Sequence, residues 1–130
     1  MVNYAYTILY VESVEDSMQF YQAAFGFLEK FLTPEKDYGE LISGDTTIAF
    51  ARHDLASSNF KEKYQKVNSE ELFGIELGFT TTSIETDFKQ ALTAGATLVE
   101  AVVEKPLGQK VGYVKDMNGF LIEICTPMKG

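Results

Sequence analysis

Two stretches of this chain, residues 13–28 and 83–98, follow one pattern at an offset of 70 positions. Ser13 matches Ser83, Val14 matches Ile84, Glu15 matches Glu85, Ala24 matches Ala94 and Leu28 matches Leu98. A repeat of this length suggests that one supersecondary unit is used twice, as two similar units that share one sheet or cavity.

Each half reads β-α-β-β-β. Residues 3–11 alternate, with Tyr4, Tyr6, Ile8 and Tyr10 on one face and Ala5, Thr7, Leu9 and Val11 on the other. Both faces are largely apolar, which predicts a central strand. Ser13 as N-cap, Glu15 and Asp16 in the first turn, and Val14, Met18, Tyr21 and Phe25 at helical spacing predict a helix that packs on a sheet and ends at Gly26. A short strand over 27–31 and a hairpin of 38–43 with 46–52 around Gly44-Asp45 complete the first half. Residues 53–72 are polar and lack a strand period. They predict a linker with one helical turn near 60–64, which either joins two units or covers a site.

The second half repeats the order. Phe73, Ile75, Leu77 and Phe79 alternate with Gly74, Glu76 and Gly78; Ser83 is again an N-cap candidate, and Ile84, Phe88, Ala91 and Leu92 take helical spacing up to Gly95. A strand over 97–103 stops before Pro106. The closing GYVKDMNGFLIEICTP predicts a hairpin with Asn118-Gly119 at positive φ. Glu123 stands in the apolar run of its last strand, where a carboxylate is costly unless paired, protonated or facing a cavity; the alternative is a solvent-facing edge.

Composition narrows the class. With 130 residues, 45% hydrophobic and 13% aromatic, the chain suits one compact domain with a core. Its net charge of -8, with no Lys/Arg cluster, argues against nucleic acid and anionic membranes and suits a neutral or cationic small molecule. Cys125 is the single cysteine, which excludes a disulfide framework and a Cys-rich zinc site; it is expected to be a buried small hydrophobe. The absence of a signal peptide or long apolar run leads us to expect a cytoplasmic protein.

The opening YTILYVESVEDSMQFYQAAFGF and the closing GYVKDMNGFLIEICTP resemble the vicinal-oxygen-chelate proteins, the superfamily of glyoxalase I, bleomycin-resistance proteins and extradiol dioxygenases. The resemblance implies an α+β fold of two βαβββ modules (about 1–52 and 73–130, joined by 53–72) whose curved mixed sheets surround a cavity, and a homodimer. It also implies four metal positions in the metal-dependent members, on the first and fourth strands of each module. Carried onto this chain these are Tyr6, Ala49, Glu76 and Glu123. The repeat itself pairs Tyr6 with Glu76. Ala49 has no ligand atom and a neutral Tyr is a poor ligand, so neither a metal nor any other cofactor is expected.

Glu76 lies between Gly74 and Gly78 on one strand face, where glycines leave room for a ligand or simply mark a solvated strip. Glu76 and Glu123 in one cavity could act as acid and base, or hold a cationic group. Tyr4, Tyr6 and Tyr10 could supply aromatic walls or ordinary core packing. Gln109 and Tyr113 are further ligand-binding candidates, as is His53, the sole histidine, which could equally be solvated. Two functions follow: a metal-independent protein that binds a small aromatic or cationic ligand, similar to the bleomycin-resistance members, or a glyoxalase-like lyase or isomerase using the Glu pair.

Overall fold

The structure, a computed structural model, describes residues 1–128. The chain divides into two compact units, residues 1–66 and 67–130. In unit 1 the elements are β1 (Tyr6–Val11), α1 (Val14–Phe25), β2 (Leu28–Leu32), β3 (Tyr38–Ser43), β4 (Thr46–Arg52) and the short α2 (His53–Ser57). Unit 2 has β5 (Glu76–Thr80), α3 (Ile84–Thr93), β6 (Thr97–Glu104), β7 (Lys110–Lys115) and β8 (Leu121–Cys125). Both units are therefore βαβββ modules, and the class is α+β. Each has its own open four-stranded sheet, ordered β1-β4-β3-β2 and β5-β8-β7-β6. The first and last strands pair in parallel, and the remaining pairs are antiparallel.

In unit 1 the Ser13 side chain caps α1 by accepting from the Asp16 N–H at 3.1 Å, and Gly26 closes the helix at φ 73°. The helix buries Val14, Met18, Phe20, Tyr21 and Ala24. The sheet supplies Leu9, Val11, Leu41, Ile48 and Phe50, all buried. In unit 2, α3 buries Ile84, Phe88 and Ala91. Val114, Ile122 and Ile124 are the buried residues of its sheet on the same face.

The repeat extends to the packing itself. A Cβ on Gly39 would stand 2.4 Å from the Met18 sulfur, and one on Gly112 would stand 2.5 Å from Phe88 Cε1. Met18 and Phe88 are repeat partners, and Gly39 and Gly112 lie opposite Phe50 and Ile124. Each module thus seats one large helix residue on a bare patch of its third strand. Gly112→Ala is expected to cost roughly 1–3 kcal/mol, because Phe88 is rigid and Val102 crowds the other side at 2.9 Å. Gly39→Ala should cost less, since a thioether side chain bends away. Equal losses in urea unfolding would refute that ranking.

Several sequence expectations are corrected. β1 is an edge strand of its sheet, not a central one; its second apolar face carries Tyr6 and Ile8, which are 45% and 38% exposed. β1 also begins at Tyr6 and not at residue 3, because its pairing starts at Tyr6 opposite Thr47, near the first residue of β4. In the same way β5 starts at Glu76 and leaves Phe73 and Ile75 outside it. The linker's helical turn is His53–Ser57, running straight on from β4, and not 60–64. Phe60 and Tyr64 use their spacing for an edge contact with each other at 6.2 Å. Ser83 occupies the cap of α3 without a side-chain bond. Thr81 Oγ1 accepts from the Ser83 N–H at 2.9 Å, and the Thr81 hydroxyl donates to Asp87. In the last hairpin only Gly119 has positive φ; the loop of five residues is organised by Asp116.

Candidate functional site

The face of the unit 2 sheet opposite α3 gathers most of the chemistry. Gly78 on β5 and Tyr113 on β7 both lie opposite Glu123, so the three share a face with Glu76, two residues before Gly78. The Tyr113 hydroxyl donates to Glu123 Oε1 at 3.0 Å. That bond, then burial and the carboxylate charges, push the Tyr113 pKa up to about 12. Glu76 is exposed, yet partial desolvation first, and the Glu123 charge second, raise its pKa above the ordinary value. A Cβ at Gly78 would lie 3.8 Å from Glu123 Oε2, and one at Gly74 would meet nothing within 4 Å. The bare backbone therefore leaves Glu123 open from the β5 side.

Cys125, next on this face, is buried, and its thiol donates to the Phe79 carbonyl at 3.7 Å. Burial and the Glu123 charge raise its pKa, which keeps it a thiol, not a nucleophile. Gln109 precedes β7, and its amide donates to the Thr126 carbonyl at 2.9 Å, tying the ends of β7 and β8 together.

Unit 1 presents a corresponding face of Tyr6, Ile8 and Tyr10 on β1, Ala49 on β4 and Glu40 on β3. Ala49 lies opposite both Ile8 and Glu40. Glu40 is buried, takes the Tyr38 hydroxyl at 2.6 Å and lies 3.5 Å from Lys30 Nζ. Burial, and next the bond to Glu40, raise the Tyr38 pKa. Neither Glu40 nor Tyr38 stood out in the sequence, although their period-two spacing on a strand was visible. The two units thus hold a similar phenol–carboxylate pair with the phenol on the third strand of each: the acid is on that same strand in unit 1 and on the fourth strand in unit 2. Tyr4 is not on this face. It precedes β1, is 84% exposed and bonds through its hydroxyl to Thr7.

His53 is buried, not solvated. Its Nδ1 lies 2.6 Å from the Tyr64 hydroxyl and its Nε2 3.7 Å from Glu12. Tyr64 in turn meets the Tyr10 ring edge-on at 5.0 Å. Burial and the Lys66 charge lower the His53 pKa, against the pull of Glu12. No sequence signal marked Tyr64 as its partner.

With this geometry in place, the chain can be set beside known proteins. The glyoxalase-like domain family matches residues 4–129. The chain belongs to that family, within the vicinal-oxygen-chelate superfamily. A glyoxalase-related enzyme from Fulvimarina pelagi superposes with a TM-score of 0.83 at 18% identity, covering 98% of this chain and 89% of the other. A glyoxalase/bleomycin resistance protein/dioxygenase family enzyme from Burkholderia phytofirmans PsJN gives 0.77 at 21% identity, covering 95% and 98%. TioX from Micromonospora sp. ML1 gives 0.74 at 18% identity, covering 98% and 100%. These likenesses establish the fold. No curated protein matches this chain.

For this glyoxalase-like protein the family's four metal positions do not make a ligand set. Ala49 ends in a methyl group that is fully buried, and Tyr6 offers a phenol. Glu40 brings a carboxylate beside Ala49, but its oxygens are engaged by Tyr38 and Lys30. Among the described residues no three or more His, Cys, Asp and Glu side chains come together as a metal site needs. The two carboxylates of unit 2 remain, and they suit a cation's charge or a proton. No helix among the described residues is long and apolar enough to cross a membrane.

Proposed function

We propose that this glyoxalase-like protein binds a small aromatic or cationic molecule without a metal, over the Glu76–Glu123 face of unit 2. The observation that carries the reading is the placement of Glu76 and Glu123 on one sheet face; desolvation first, and the Glu123 charge second, raise the Glu76 pKa. A carboxyl whose ionisation is opposed by a neighbouring carboxylate is relieved by a cation placed beside it. Tyr113 fixes one oxygen of Glu123, and Gly78 leaves the approach open. The test is a thermal-shift screen of aromatic amines and amidines against the protein and Gly78→Val. The valine fills the space above Glu123 at ordinary contact distance, so it should abolish the shifts while the fold persists. Shifts that survive in Gly78→Val would sink the assignment. Resemblance alone supports a homodimer, which light scattering reports directly.

One observation favours a second reading, a lyase or isomerase. A carboxyl whose pKa is raised, beside one oriented by a phenol, makes an acid–base pair. The metal-free reading predicts that purified protein carries no stoichiometric zinc, nickel, iron or manganese. One equivalent of metal by elemental analysis, lost in Glu123→Gln, would favour the enzyme.

A further inference from the structure

Unit 2 also has a concavity away from Glu76 and Glu123, with Gln109 among its lining residues. It is a cleft of about 710 Å³ between the β6–β7 loop, the start of α3 and the segment after β8. Its size falls within the range of small-molecule sites, roughly 300–1,000 Å³. Ile84, Pro106, Leu107, Pro127 and Met128 give it apolar walls. Leu107 is 87% exposed and Met128 72% exposed, although both line a concave surface. Large apolar side chains left open to water around a hollow are a recurring mark of ligand sites.

The charges at its rim decide the class of ligand. Lys110 Nζ lies 2.9 Å from Glu85 Oε1, so that pair neutralises itself. The pairing raises the Lys110 pKa and lowers that of Glu85, and Glu104, which does not line the cleft, adds its charge to Lys110. Lys105 remains. Among the described residues it has no ion-pair partner, and it stands next to Pro106 and Leu107 at the rim. One uncommitted cation beside an apolar hollow favours an anionic group at that point, against the chain's overall net charge of -8. We propose that this cleft is a second binding site that takes an apolar or aromatic small molecule carrying one carboxylate or similar anionic group, its body against Leu107 and Met128 and its charge on Lys105. It differs in place and in sign from the acidic sheet face, so either site can fail without the other.

The probe is 1-anilinonaphthalene-8-sulfonate, an aromatic anion whose fluorescence rises in apolar sites. The full chain is expected to bind it saturably, with decanoate competing and decylamine not competing. Leu107→Asp should weaken binding about tenfold or more, and Lys105→Glu about tenfold. Both residues are exposed, and circular dichroism checks that the variants keep the fold. Should Leu107→Asp not fold, Lys105→Glu alone decides. Gly78→Val should leave probe binding unchanged. The proposal is overturned by unsaturable binding, by decylamine competing as well as decanoate, by unchanged affinity in the folded Leu107 and Lys105 variants, or by loss of the probe only in Gly78→Val.

Discussion

Replacing Gly119 with alanine is expected to destabilise the protein by roughly 2–5 kcal/mol, from backbone strain together with overpacking. Gly119 has φ 101°, where an L side chain is strained. An added Cβ would also stand 2.1 Å from the Asn68 carbonyl oxygen and 2.8 Å from the Ser69 nitrogen. Those are backbone atoms, which cannot rotate aside, and the Lys115 ammonium holds the Ser69 carbonyl at 2.5 Å. The last hairpin and the end of the linker are therefore clamped on a bare glycine. Gly44→Ala is the control: it has φ 59° but nothing within 4 Å, so it should cost only about 1 kcal/mol. Asp116 sets the same turn. Its Oδ1 accepts the Asn118, Gly119 and Phe120 N–H groups at 2.9, 3.0 and 2.9 Å. Asp116→Ala strands these donors and should cost roughly 3 kcal/mol or more, while Asp116→Asn, which keeps an acceptor oxygen, should cost less. Urea unfolding of the four variants gives the ranking. A Gly119→Ala loss no larger than that of Gly44→Ala would show that Asn68 yields, and the clamp would be discarded.

That turn also shows where sequence reasoning stops. Asn118-Gly119 between two apolar runs announced a hairpin, and a hairpin is there, but the two-residue turn it suggests is not. A buried Asp that collects three N–H groups lengthens the loop, and the dipeptide cannot reveal that bond pattern. The βαβββ order of both modules was legible because helix caps and the period switch are local signals. The edge position of β1 was not, because a strand with two apolar faces reads the same whether a neighbour strand or an open face covers it. The repeat paired Tyr6 with Glu76 and Ala49 with Glu123, but the partnership of Glu123 with Gly78 needs the parallel register of β5 on β8, in which Glu76 lies opposite Leu121 just as Tyr6 lies opposite Thr47. Its partnership with Tyr113 depends on the antiparallel pairing of β7 with β8, and the sequence carried only their common neighbourhood. Glu40 escaped notice because a single acid in an apolar strand resembles a solvated edge until its phenol partner is seen.

Binding of a cationic ligand to the acidic face should strengthen as pH rises through the titration of Glu76. Partial desolvation first, and the Glu123 charge second, hold the Glu76 pKa above the ordinary glutamate value. Below its titration Glu76 is neutral and offers a cation little. Above it the carboxylate is ionised against the field of Glu123, and a bound cation relieves both carboxylates at once. The complex therefore favours the ionised form, and binding releases a proton wherever free Glu76 still holds one. Affinity should climb from the ordinary glutamate range of about 4.3 upward and level off once Glu76 is ionised without ligand. Tyr113 and Cys125, which feel the same carboxylates, are pushed up and stay neutral across that window. Glu76→Gln should flatten the pH profile and weaken binding about tenfold to a hundredfold, the equivalent of a charge-assisted hydrogen bond of about 1.5–3 kcal/mol. Stability should move the other way. A raised carboxyl pKa gives stability that is fully present below the unfolded value and lost as pH rises through the folded one, so Glu76→Gln should not destabilise the protein at neutral pH. Calorimetric titration with the strongest amine or amidine of the thermal-shift screen, at several pH values, reads the affinity and its pH slope, and urea unfolding reads the stability. If Glu76→Gln keeps the wild-type affinity and pH slope, the cation is held elsewhere and Glu76 is a solvated strand residue.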